Sequence, residues 1–375
     1  MTRRICYLTG TRADFGLMTS TLRAVSHDSR LSLQLLVTGM HLSPLYGSTV
    51  TEIEAEGFEI AARIPVESGD TSAAGMVMNL AQILKGLVPV LESSRPDLLV
   101  LLGDRGEMLA GAIAAIHLGI AVAHLHGGER SGTVDEPVRH AISKLAHLHL
   151  VATEEAKDRL VRMGELESSV HVVGAPGIDG LLAIPRFERA AMCQKLGFDA
   201  LRPIGLFVFH PVLQEAQDAA RQVRESLLAA DGMQVLALMP NSDAGGDAVR
   251  NELKESAAAG RLKLLTHLPR DEYISWLACC DVLFGNSSSG IIEAASFGTP
   301  VVNIGTRQNL RERNTNVRDV PATLNDVRAA LTEALKNGRL VRANVYGDGQ
   351  AGRRIVELLA TANLTPELMA KSNAY

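Results

Sequence analysis

Short apolar runs alternate with helical patterns along the chain from its first residues onward. Apolar runs of about 4–8 residues are typical of buried strands, and the amphipathic stretches between them are typical of crossover helices. This alternation predicts βαβ units around buried parallel sheets, an α/β fold. In the first half of the chain the predicted strands are 4–10, 31–39, 58–65, 97–104, 120–127, 147–153 and 168–176.

The alternation of strand and helix patterns stops over residues 177–203, which carry turn residues and no strand pattern. It then restarts, so two α/β domains joined near 178–200 are expected. Helices are predicted over 72–94 and 105–119. We place the domains at 1–180 and 200–350, with a helical tail over 350–375 that we expect to pack back on the first domain. The predicted strands of the second half are 203–211, 232–241, 261–269, 281–287 and 299–305.

Polar, charged and glycine residues gather where the predicted strands end. In an open parallel sheet, ligands bind beyond the carboxyl ends of the strands, at the point where the strand order switches. The pattern therefore predicts a site in a cleft between the two domains. The segments at these ends are TGTRADFG (9–16), VTGMH (37–41), GDRGE (103–107), HLHGGE (124–129), FHP (209–211), PNSDAGGD (240–247), GNSSSG (285–290) and GTRQNLRER (305–313).

Composition narrows the class of protein. Of the 375 residues 46% are hydrophobic and 21% charged, which is typical of a folded chain with room for two domains. The net charge of −5 argues against nucleic acid or an anionic membrane as partner. Four cysteines without C-x-x-C spacing favour a reducing cytoplasm over a disulfide framework. No apolar run approaches membrane-spanning length, and the first ten residues resemble a strand, not a signal peptide.

The stretch GNSSSGIIEA combines a strand end, small residues and a helix start. Backbone N–H groups at such a place form a phosphate site, although a well-capped helix explains the same residues. Arg12, His210 and Arg307 also stand at strand ends, which favours a diphosphate. Glu293, on the same predicted helix, suits a ribose, unless it only complements the helix dipole. The Walker A pattern is absent from the sequence. The G-x-G-x-x-G pattern is absent from the first strand end, which argues against NAD as a ligand.

Two carboxylates suit proton transfer. Asp104 ends an apolar strand, where partial burial would favour acid–base chemistry, unless it caps the helix that follows. In DEPVRHAISKLA, Pro137 fits the first helical turn with Asp135 or Glu136 as the cap. Asp135 would then face the cleft. On that helix Asp135 pairs with Arg139, and Glu136 with His140, at a spacing of four.

Histidines raise the question of a metal, because five of the eleven lie between residues 124 and 149. His124 and His126 alternate on one predicted strand, and His147 and His149 on the next. No H-E-x-x-H and no recognised ligand spacing accompany them. We therefore expect packed or hydrogen-bonded histidines and no metal.

Taken together, these motifs resemble the hydrolysing UDP-N-acetylglucosamine 2-epimerases of sialic-acid and related nonulosonate pathways. The resemblance runs from about residue 5 to 310 in the same order, through TGTRADFG, VTGMH, GDR, HGGE-x-SGTVDE-x-x-RH, FHP, PNSDAG, GNSSSGIIEA and GTRQ. It implies two Rossmann-like domains arranged as in B-type glycosyltransferases, with UDP in the cleft and no dissociable cofactor. It also implies a cytoplasmic homo-oligomer, dimer or tetramer, whose partner is a UDP-sugar.

The resemblance also implies the reaction and the residues. UDP-GlcNAc and water give UDP and N-acetylmannosamine, by elimination of UDP across C1 and C2 and addition of water with inversion at C2. Asp104, His126 and Asp135 are the candidate catalytic residues. Glu293 would bind the ribose, and His41 would face the sugar or the diphosphate. The candidate substrate-binding residues are Arg12, His41, Arg105, Glu129, Arg139, His210, Asn241, Ser287, Ser288, Glu293 and Arg307.

One departure concerns the substrate. Sialic-acid members read H-I-E-G-G-E where this chain reads HLHGGE, so His126 replaces a carboxylate implicated in proton transfer. An imidazole still moves protons near neutral pH. A histidine here also resembles the branch that acts on UDP-N,N′-diacetylbacillosamine, toward legionaminic acid, whereas SGTVDE resembles the branch that uses UDP-GlcNAc. We favour UDP-GlcNAc and keep UDP-N,N′-diacetylbacillosamine as the alternative.

Three other functions share the fold or the nucleotide site. A non-hydrolysing 2-epimerase would return UDP-ManNAc, but GGE-x-SGTVDE and GTRQ argue against it. A B-type UDP-sugar glycosyltransferase would need an acceptor. A non-catalytic UDP-sugar-binding protein would result if His126 abolished proton transfer. The released sugar, the dependence on an acceptor and exchange of the C2 proton distinguish them.

Overall fold

The computed structural model describes residues 2–66, 72–131, 135–240 and 245–374, and within them two parallel sheets form. All twelve predicted strands are confirmed. The sequence pattern missed β13, a short strand whose residues are partly exposed. The strands are β1 Arg3–Thr9, β2 Leu31–Thr38, β3 Ile60–Ile64, β4 Leu98–Leu102, β5 Ala121–Leu125, β6 Leu148–Val151, β7 Val170–Val172, β8 Ile204–Val208, β9 Gln234–Leu238, β10 Lys263–Leu265, β11 Val282–Gly285, β12 Val301–Ile304 and β13 Val317–Val320.

Strand order places the polar strand ends together. The first sheet runs β3-β2-β1-β4-β5-β6-β7 and the second β10-β9-β8-β11-β12-β13, with every pair parallel. The order therefore switches between β1 and β4, and again between β8 and β11, where ligands of such sheets bind. The predicted α/β fold with two parallel sheets is confirmed. We refer below to the N-terminal half, around the first sheet, and the C-terminal half, around the second.

Helices cover both sheets, and the two predicted over 72–94 and 105–119 are confirmed. Buried apolar residues on them form cores on either face of the strands. The helices are α1 Arg12–His27, α2 Val50–Ala55, α3 Ala73–Ser94, α4 Gly106–His117, α5 Asp135–Leu145, α6 Glu154–Arg162, α7 Arg189–Leu196, α8 Ala219–Ala229, α9 Gly246–Ala258, α10 Arg270–Cys279, α11 Ser288–Ile292, α12 Leu324–Asn337, α13 Ala351–Thr361 and α14 Pro366–Ala370.

Helix α3 corrects one expectation. Its segment Ala74–Ser94 is long and apolar enough to cross a bilayer, by length and composition alone, whereas the sequence was expected to hold no such run. A single such helix is weak evidence, because core helices pass the same test. Ile83, Leu87 and Leu91 are buried in the core beneath the helix.

The end of the chain returns to the N-terminal half. Ile355 and Leu359 of α13 share a core with residues of β1 and α1. Arg3 donates hydrogen bonds to the carbonyls of Leu359 and Ala362, at 2.7 and 2.8 Å. The tail therefore lies against the N-terminal half in this structure, and the predicted division into domains stays a prediction.

Candidate active site

Asp104 lies just beyond β4, beside the point where the first sheet switches order. Its carboxylate forms an ion pair with Arg139 of α5, whose side chain is only 1% exposed. Arg139 also donates to the carbonyl of Glu129, at 3.0 Å. Helix α4 begins at Gly106 after Arg105, without a side-chain cap, so the alternative that Asp104 is merely a helix cap is wrong. Asp104 is a partly buried carboxylate held by a buried cation.

His126 follows β5 with a left-handed backbone, φ 59°, which is uncommon for a residue with a side chain. The strand alternation predicted from the sequence therefore ends before it. Its Nδ1 lies 2.5 Å from Oε1 of Glu129, and both side chains are nearly buried. The next turn needs glycine, because a Cβ on Gly128 would lie 2.4 Å from the carbonyl oxygen of Ala156. The HGGE segment therefore forms a turn in which the Glu129 carboxylate contacts the His126 imidazole.

Glu129 therefore contacts protein groups where the sequence predicted a substrate contact. Burial opposes its ionisation, but the charges of His126 and Arg311 outweigh burial and lower its pKa. A carboxylate only accepts hydrogen bonds, so Nδ1 of His126 carries the proton in this contact. That leaves Nε2 as the nitrogen available for proton transfer.

Arg311 reaches this cluster from the C-terminal half, on the segment between β12 and β13. Its Nη2 lies 3.5 Å from Oε2 of Glu129 and 3.9 Å from Oδ2 of Asp104. The side chain is 10% exposed. Arg311 thereby bridges the two halves at the candidate proton-transfer groups. The sequence analysis quoted its segment, GTRQNLRER, but did not single out this residue, because nothing local marks which arginine crosses the cleft.

Asp135 and Glu136 lie inside α5, which begins at Asp135, so the prediction that one of them caps the helix is wrong. Pro137 does fall in the first turn. Glu136 accepts a hydrogen bond from the backbone of Ser131, at 2.7 Å, and lies 3.9 Å from His140, as the spacing predicted. Asp135 is half-buried beside them. Residues 132–134, within SGTVDE, lie outside the described residues.

The other histidines of the motif have protein partners. His124 contacts the carbonyl of Gly103 at 2.7 Å and Ser143 Oγ at 3.1 Å, and burial lowers its pKa to about 3. His149 lies 2.9 Å from Oε2 of Glu165, and Nδ1 of His147 accepts from the backbone of Val122. Across the part of the chain that the structure describes, no group of three or more His, Cys, Asp and Glu side chains could hold a metal ion.

Arg12 and His41 stand near the end of β1. Arg12 is the first residue of α1, and a capping box between Thr11 and Asp14 fixes the first turn of this helix. Burial lowers the pKa of the Arg12 guanidinium. His41 is wholly buried. Its ring nitrogens lie 2.9 Å from Thr9 Oγ1 and 2.8 Å from Thr49 Oγ1. In contrast to the prediction, His41 therefore presents no ring nitrogen to a ligand in this structure, because local hydroxyls hold both.

Arg105 is half-buried, and its Nε lies 3.3 Å from Oε2 of Glu107, the second residue of α4. This contact turns the guanidinium along the start of α4. Arg105 is thus next to Asp104 in the chain but has a separate ion pair.

At the second switch point, buried Asn286 ties β8 to β11. Its side chain accepts from the backbone N–H of His210, at 2.7 Å, and donates to the His210 carbonyl, at 2.8 Å. Its own carbonyl accepts from Arg307, at 3.3 Å, and Gln308, at 3.0 Å. Asn286 thus brings the predicted residues His210 and Arg307 to one place. The GNSSSG motif contained this asparagine, but its role depends on strand pairing that the sequence does not show.

Ser287 caps α11, with its hydroxyl accepting from the backbone of Ser289 at 3.3 Å, and Ser288 is the first helical residue. Both are half-buried. The interpretation of GNSSSG as a capped helix start is therefore confirmed, and a phosphate site at its N–H groups stays a prediction. Asn241 lies outside the described residues.

Glu293 is almost wholly buried and follows α11, which ends at Ile292. Glu293 is therefore not a first-turn residue of α11, and it stands between this helix and the 3₁₀ turn Ala294–Phe297. Its charge is offset by Arg270, whose Nη2 lies 2.6 Å from Oε1. The sequence analysis missed Arg270, which stands at the start of a helix and not at a strand end.

Comparison with known proteins decides the family. A family model described as UDP-N-acetylglucosamine 2-epimerase matches residues 23–360. The chain belongs to the UDP-N-acetylglucosamine 2-epimerase family. It is 48% identical, over 100% of both chains, to the UDP-N,N′-diacetylbacillosamine 2-epimerase (hydrolyzing) of Legionella pneumophila. The predicted resemblance to hydrolysing members of the family is thereby confirmed.

Further relatives agree with this family assignment. The UDP-N-acetylglucosamine 2-epimerase of Neisseria meningitidis is 31% identical over 97% of this chain and 96% of that protein. A crystal structure of UDP-GlcNAc 2-epimerase from Neisseria meningitidis bound to UDP-GlcNAc superposes with a TM-score of 0.80. It covers 95% of this chain and 99% of that one, at 19% identity. This likeness confirms the fold of the epimerase family for the present chain.

Proposed function

We propose that this epimerase hydrolyses UDP-N,N′-diacetylbacillosamine to UDP and the free 2-epimeric sugar. The observation that carries the proposal is the contact between His126 and Glu129 beside Asp104, which equips the cleft with an oriented imidazole and a separate carboxylate. The full-length 48% identity to a relative named for this substrate supports the sugar. UDP-GlcNAc, which the sequence favoured, is the second candidate, supported by the Neisseria meningitidis relative.

The reaction requires one proton to leave C2 and another to arrive on its opposite face. In the elimination, a base takes the C2 proton, a C1–C2 double bond forms, and the C1–oxygen bond breaks as UDP departs. An acid then protonates C2, and water adds its oxygen to C1 and gives one proton to the conjugate base of that acid. His126, through Nε2, and Asp104 or Asp135 are the proposed base and acid. We assign no metal or cofactor to these steps, since they redistribute only protons and a diphosphate.

The diphosphate needs cations that hold it as it leaves. We assign binding of the diphosphate to Arg12 and Arg307, with the backbone at Ser287 and Ser288. Charge-assisted hydrogen bonds to phosphate are stronger than hydrogen bonds between neutral groups. His210 and Asn241 complete the proposed UDP site, and Glu293 is the proposed acceptor for the ribose hydroxyls. Arg105 and Arg139 stand beside the carboxylates of the sugar side. We propose a cytoplasmic homo-oligomer, as the sequence led us to expect.

The decisive experiment offers the two nucleotide sugars separately in D₂O and follows products by proton and phosphorus NMR. We expect UDP and a C2-deuterated free sugar from UDP-N,N′-diacetylbacillosamine. Its kcat/KM should exceed that for UDP-GlcNAc by roughly 10-fold or more, the scale on which a pocket separates substrates that differ in a small substituent. Equal or higher kcat/KM for UDP-GlcNAc would make N-acetylmannosamine the product. UDP-ManNAc as product, or transfer to an acceptor, would contradict both.

A further inference from the structure

Arg270, the first residue of α10, lies where three parts of the molecule meet. Its Nη2 donates to the carbonyl of Gly177, at 2.8 Å, and to Oε1 of Glu293, at 2.6 Å. Its Cδ lies 4.0 Å from the place a Cβ would take on Gly16 of α1. A single nitrogen therefore joins the carboxylate after α11 to the turn that connects the two halves.

The carboxylate of Glu293 depends on this contact. Its side chain is 2% exposed, and it lies between the end of α11 and the 3₁₀ turn Ala294–Phe297. A buried charge that loses its partner is strongly destabilising. Arg270, 29% exposed, supplies the positive charge and fixes one carboxylate oxygen. The second oxygen then has a defined direction, which a hydrogen-bond acceptor for a ligand requires.

A second residue on the same face of α10 holds the other end of α11. Tyr273, three positions after Arg270, is hydrogen-bonded to Oγ of Ser289, which in turn lies 3.1 Å from Oγ of Ser287. The first turn of α10 thus fixes both the serine cap and the glutamate of α11. Such contacts are expected where a short helix must hold polar groups in fixed positions.

The connecting turn approaches Glu293 closely. Pro176–Ile178 is a buried 3₁₀ turn between β7 and the C-terminal half. A Cβ on Gly177 would lie 2.3 Å from Cδ2 of Leu17 and 3.5 Å from Oε1 of Glu293. A side chain at this position would therefore displace the Leu17 side chain and lie in van der Waals contact with Glu293. Movement of Glu293 or Arg270 would therefore change the contacts of the turn that connects the two halves.

We infer that Arg270 is a positioning residue for the nucleotide ribose: it fixes Glu293 as the acceptor of the ribose hydroxyls and ties that acceptor to the connection between the two halves. The inference rests on the proposed function, because Glu293 at the ribose is part of it. Arg270 acts through Glu293 and through the turn at Gly177. It therefore controls affinity for the ribose hydroxyls rather than proton transfer at the sugar.

The experiment measures binding of UDP and of 2′,3′-dideoxy-UDP by calorimetry. The proteins are wild type, Arg270→Met, Glu293→Gln and the double variant. In wild type, UDP should bind roughly 10-fold or more tightly than the dideoxy nucleotide, the usual scale for hydrogen bonds to a charged group. Arg270→Met should lose most of that preference while keeping its affinity for 2′,3′-dideoxy-UDP within about twofold. Adding Glu293→Gln to Arg270→Met should cause little further loss, because both act on one contact.

Two variants serve as controls. Arg224→Met removes a similar Arg–Glu pair, 2.6 Å from Glu252 on the other side of the C-terminal half, and should leave both affinities unchanged. Arg270→Lys keeps the charge and should restore part of the preference for UDP. It also carries the test if Arg270→Met does not fold.

The outcomes separate the inference from the proposed function. Equal weakening of both nucleotides by Arg270→Met, or additive losses in the double variant, would overturn the role of Arg270. If wild type bound both nucleotides equally and Glu293→Gln changed nothing, the placement of Glu293 at the ribose would itself fail. A ribose preference lost in Glu293→Gln but kept in Arg270→Met would overturn only the inference.

Discussion

The imidazole of His126 and the carboxylate of Glu129 meet across a single turn, with Nδ1 and Oε1 2.5 Å apart. The motif that supplies the candidate proton-transfer group therefore also supplies the group that orients it. Arg311, from the other half of the chain, approaches the second oxygen of the same carboxylate at 3.5 Å. The Arg311 side chain therefore links the C-terminal half to the charged groups beside His126.

Glu129→Gln tests the orienting role. The amide keeps the shape of the carboxylate, but its NH₂ group also stabilises the tautomer of His126 that lacks a proton on Nδ1. We expect kcat to fall roughly 10²-fold, the scale of a general acid–base group, with the UDP dissociation constant unchanged. Steady-state kinetics and calorimetry measure the two. Glu167→Gln, in an exposed pair with Lys157, is the control, and wild-type kcat in Glu129→Gln would remove Glu129 from the mechanism.

Asp104→Asn tests the carboxylate beside it. Turnover should fall roughly 10²-fold or more while UDP still binds, because a proton-transfer group is lost and the residues assigned to the diphosphate are kept. The thermal midpoint should also fall, since Arg139 would be left buried without its counter-charge. Asp97→Asn, which changes the exposed pair with Arg4 at the opposite end of β4, is the control for charge alone. Turnover like that of wild type would exclude Asp104 as acid or base.

Arg307→Ala tests the nucleotide side. We expect UDP to bind roughly 10-fold more weakly or worse, because a charge-assisted contact to the diphosphate is lost. The effect should appear in KM and in the UDP dissociation constant before it appears in exchange of the C2 proton. Arg318→Ala on β13, paired with exposed Glu333, should leave binding unchanged. An unchanged UDP dissociation constant in Arg307→Ala would contradict its assignment.

Glu165→Gln tests the ion cluster that fastens the end of the chain. The buried carboxylate lies 2.7 Å from Lys144 and 2.9 Å from His149, and 2.5 Å from Lys371 just after α14. At pH 7 its loss should reduce the free energy of unfolding by about 3 kcal/mol, as expected when one partner of a buried pair is removed. Glu167→Gln, which breaks an exposed pair with Lys157, should cost about 0.5 kcal/mol or less.

The same cluster predicts a pH dependence. Burial raises the pKa of Glu165, but hydrogen bonds from His149, Lys144 and Lys371 outweigh it and lower the pKa from 4.5 to about 2. Because the folded pKa lies below the unfolded one, this stabilisation is fully present above pH 4.5 and is lost as the pH falls toward 2. The difference in unfolding free energy between wild type and Glu165→Gln should therefore shrink over that range. A constant difference down to pH 2 would contradict the assignment.

Much of the fold followed from local pattern. Continuous apolar runs predicted twelve of the strands because a strand buried on both faces leaves few polar positions. The missed strand, β13, reads VRDV, and two charged residues on an edge strand hide the apolar signal. Helix α11 illustrates another limit. Its start was visible in GNSSSG, but no local pattern showed that it ends one residue before Glu293.

The site divides in the same way. The sequence by itself determined the kinds of residue at the strand ends, because parallel sheets place ligands there whatever their sequence. Only the tertiary structure decided that local hydroxyls hold both nitrogens of His41, that Glu129 faces His126, and that Arg311 and Arg270 cross between distant segments. These contacts join residues far apart in the chain or depend on a left-handed turn, and no local periodicity encodes either.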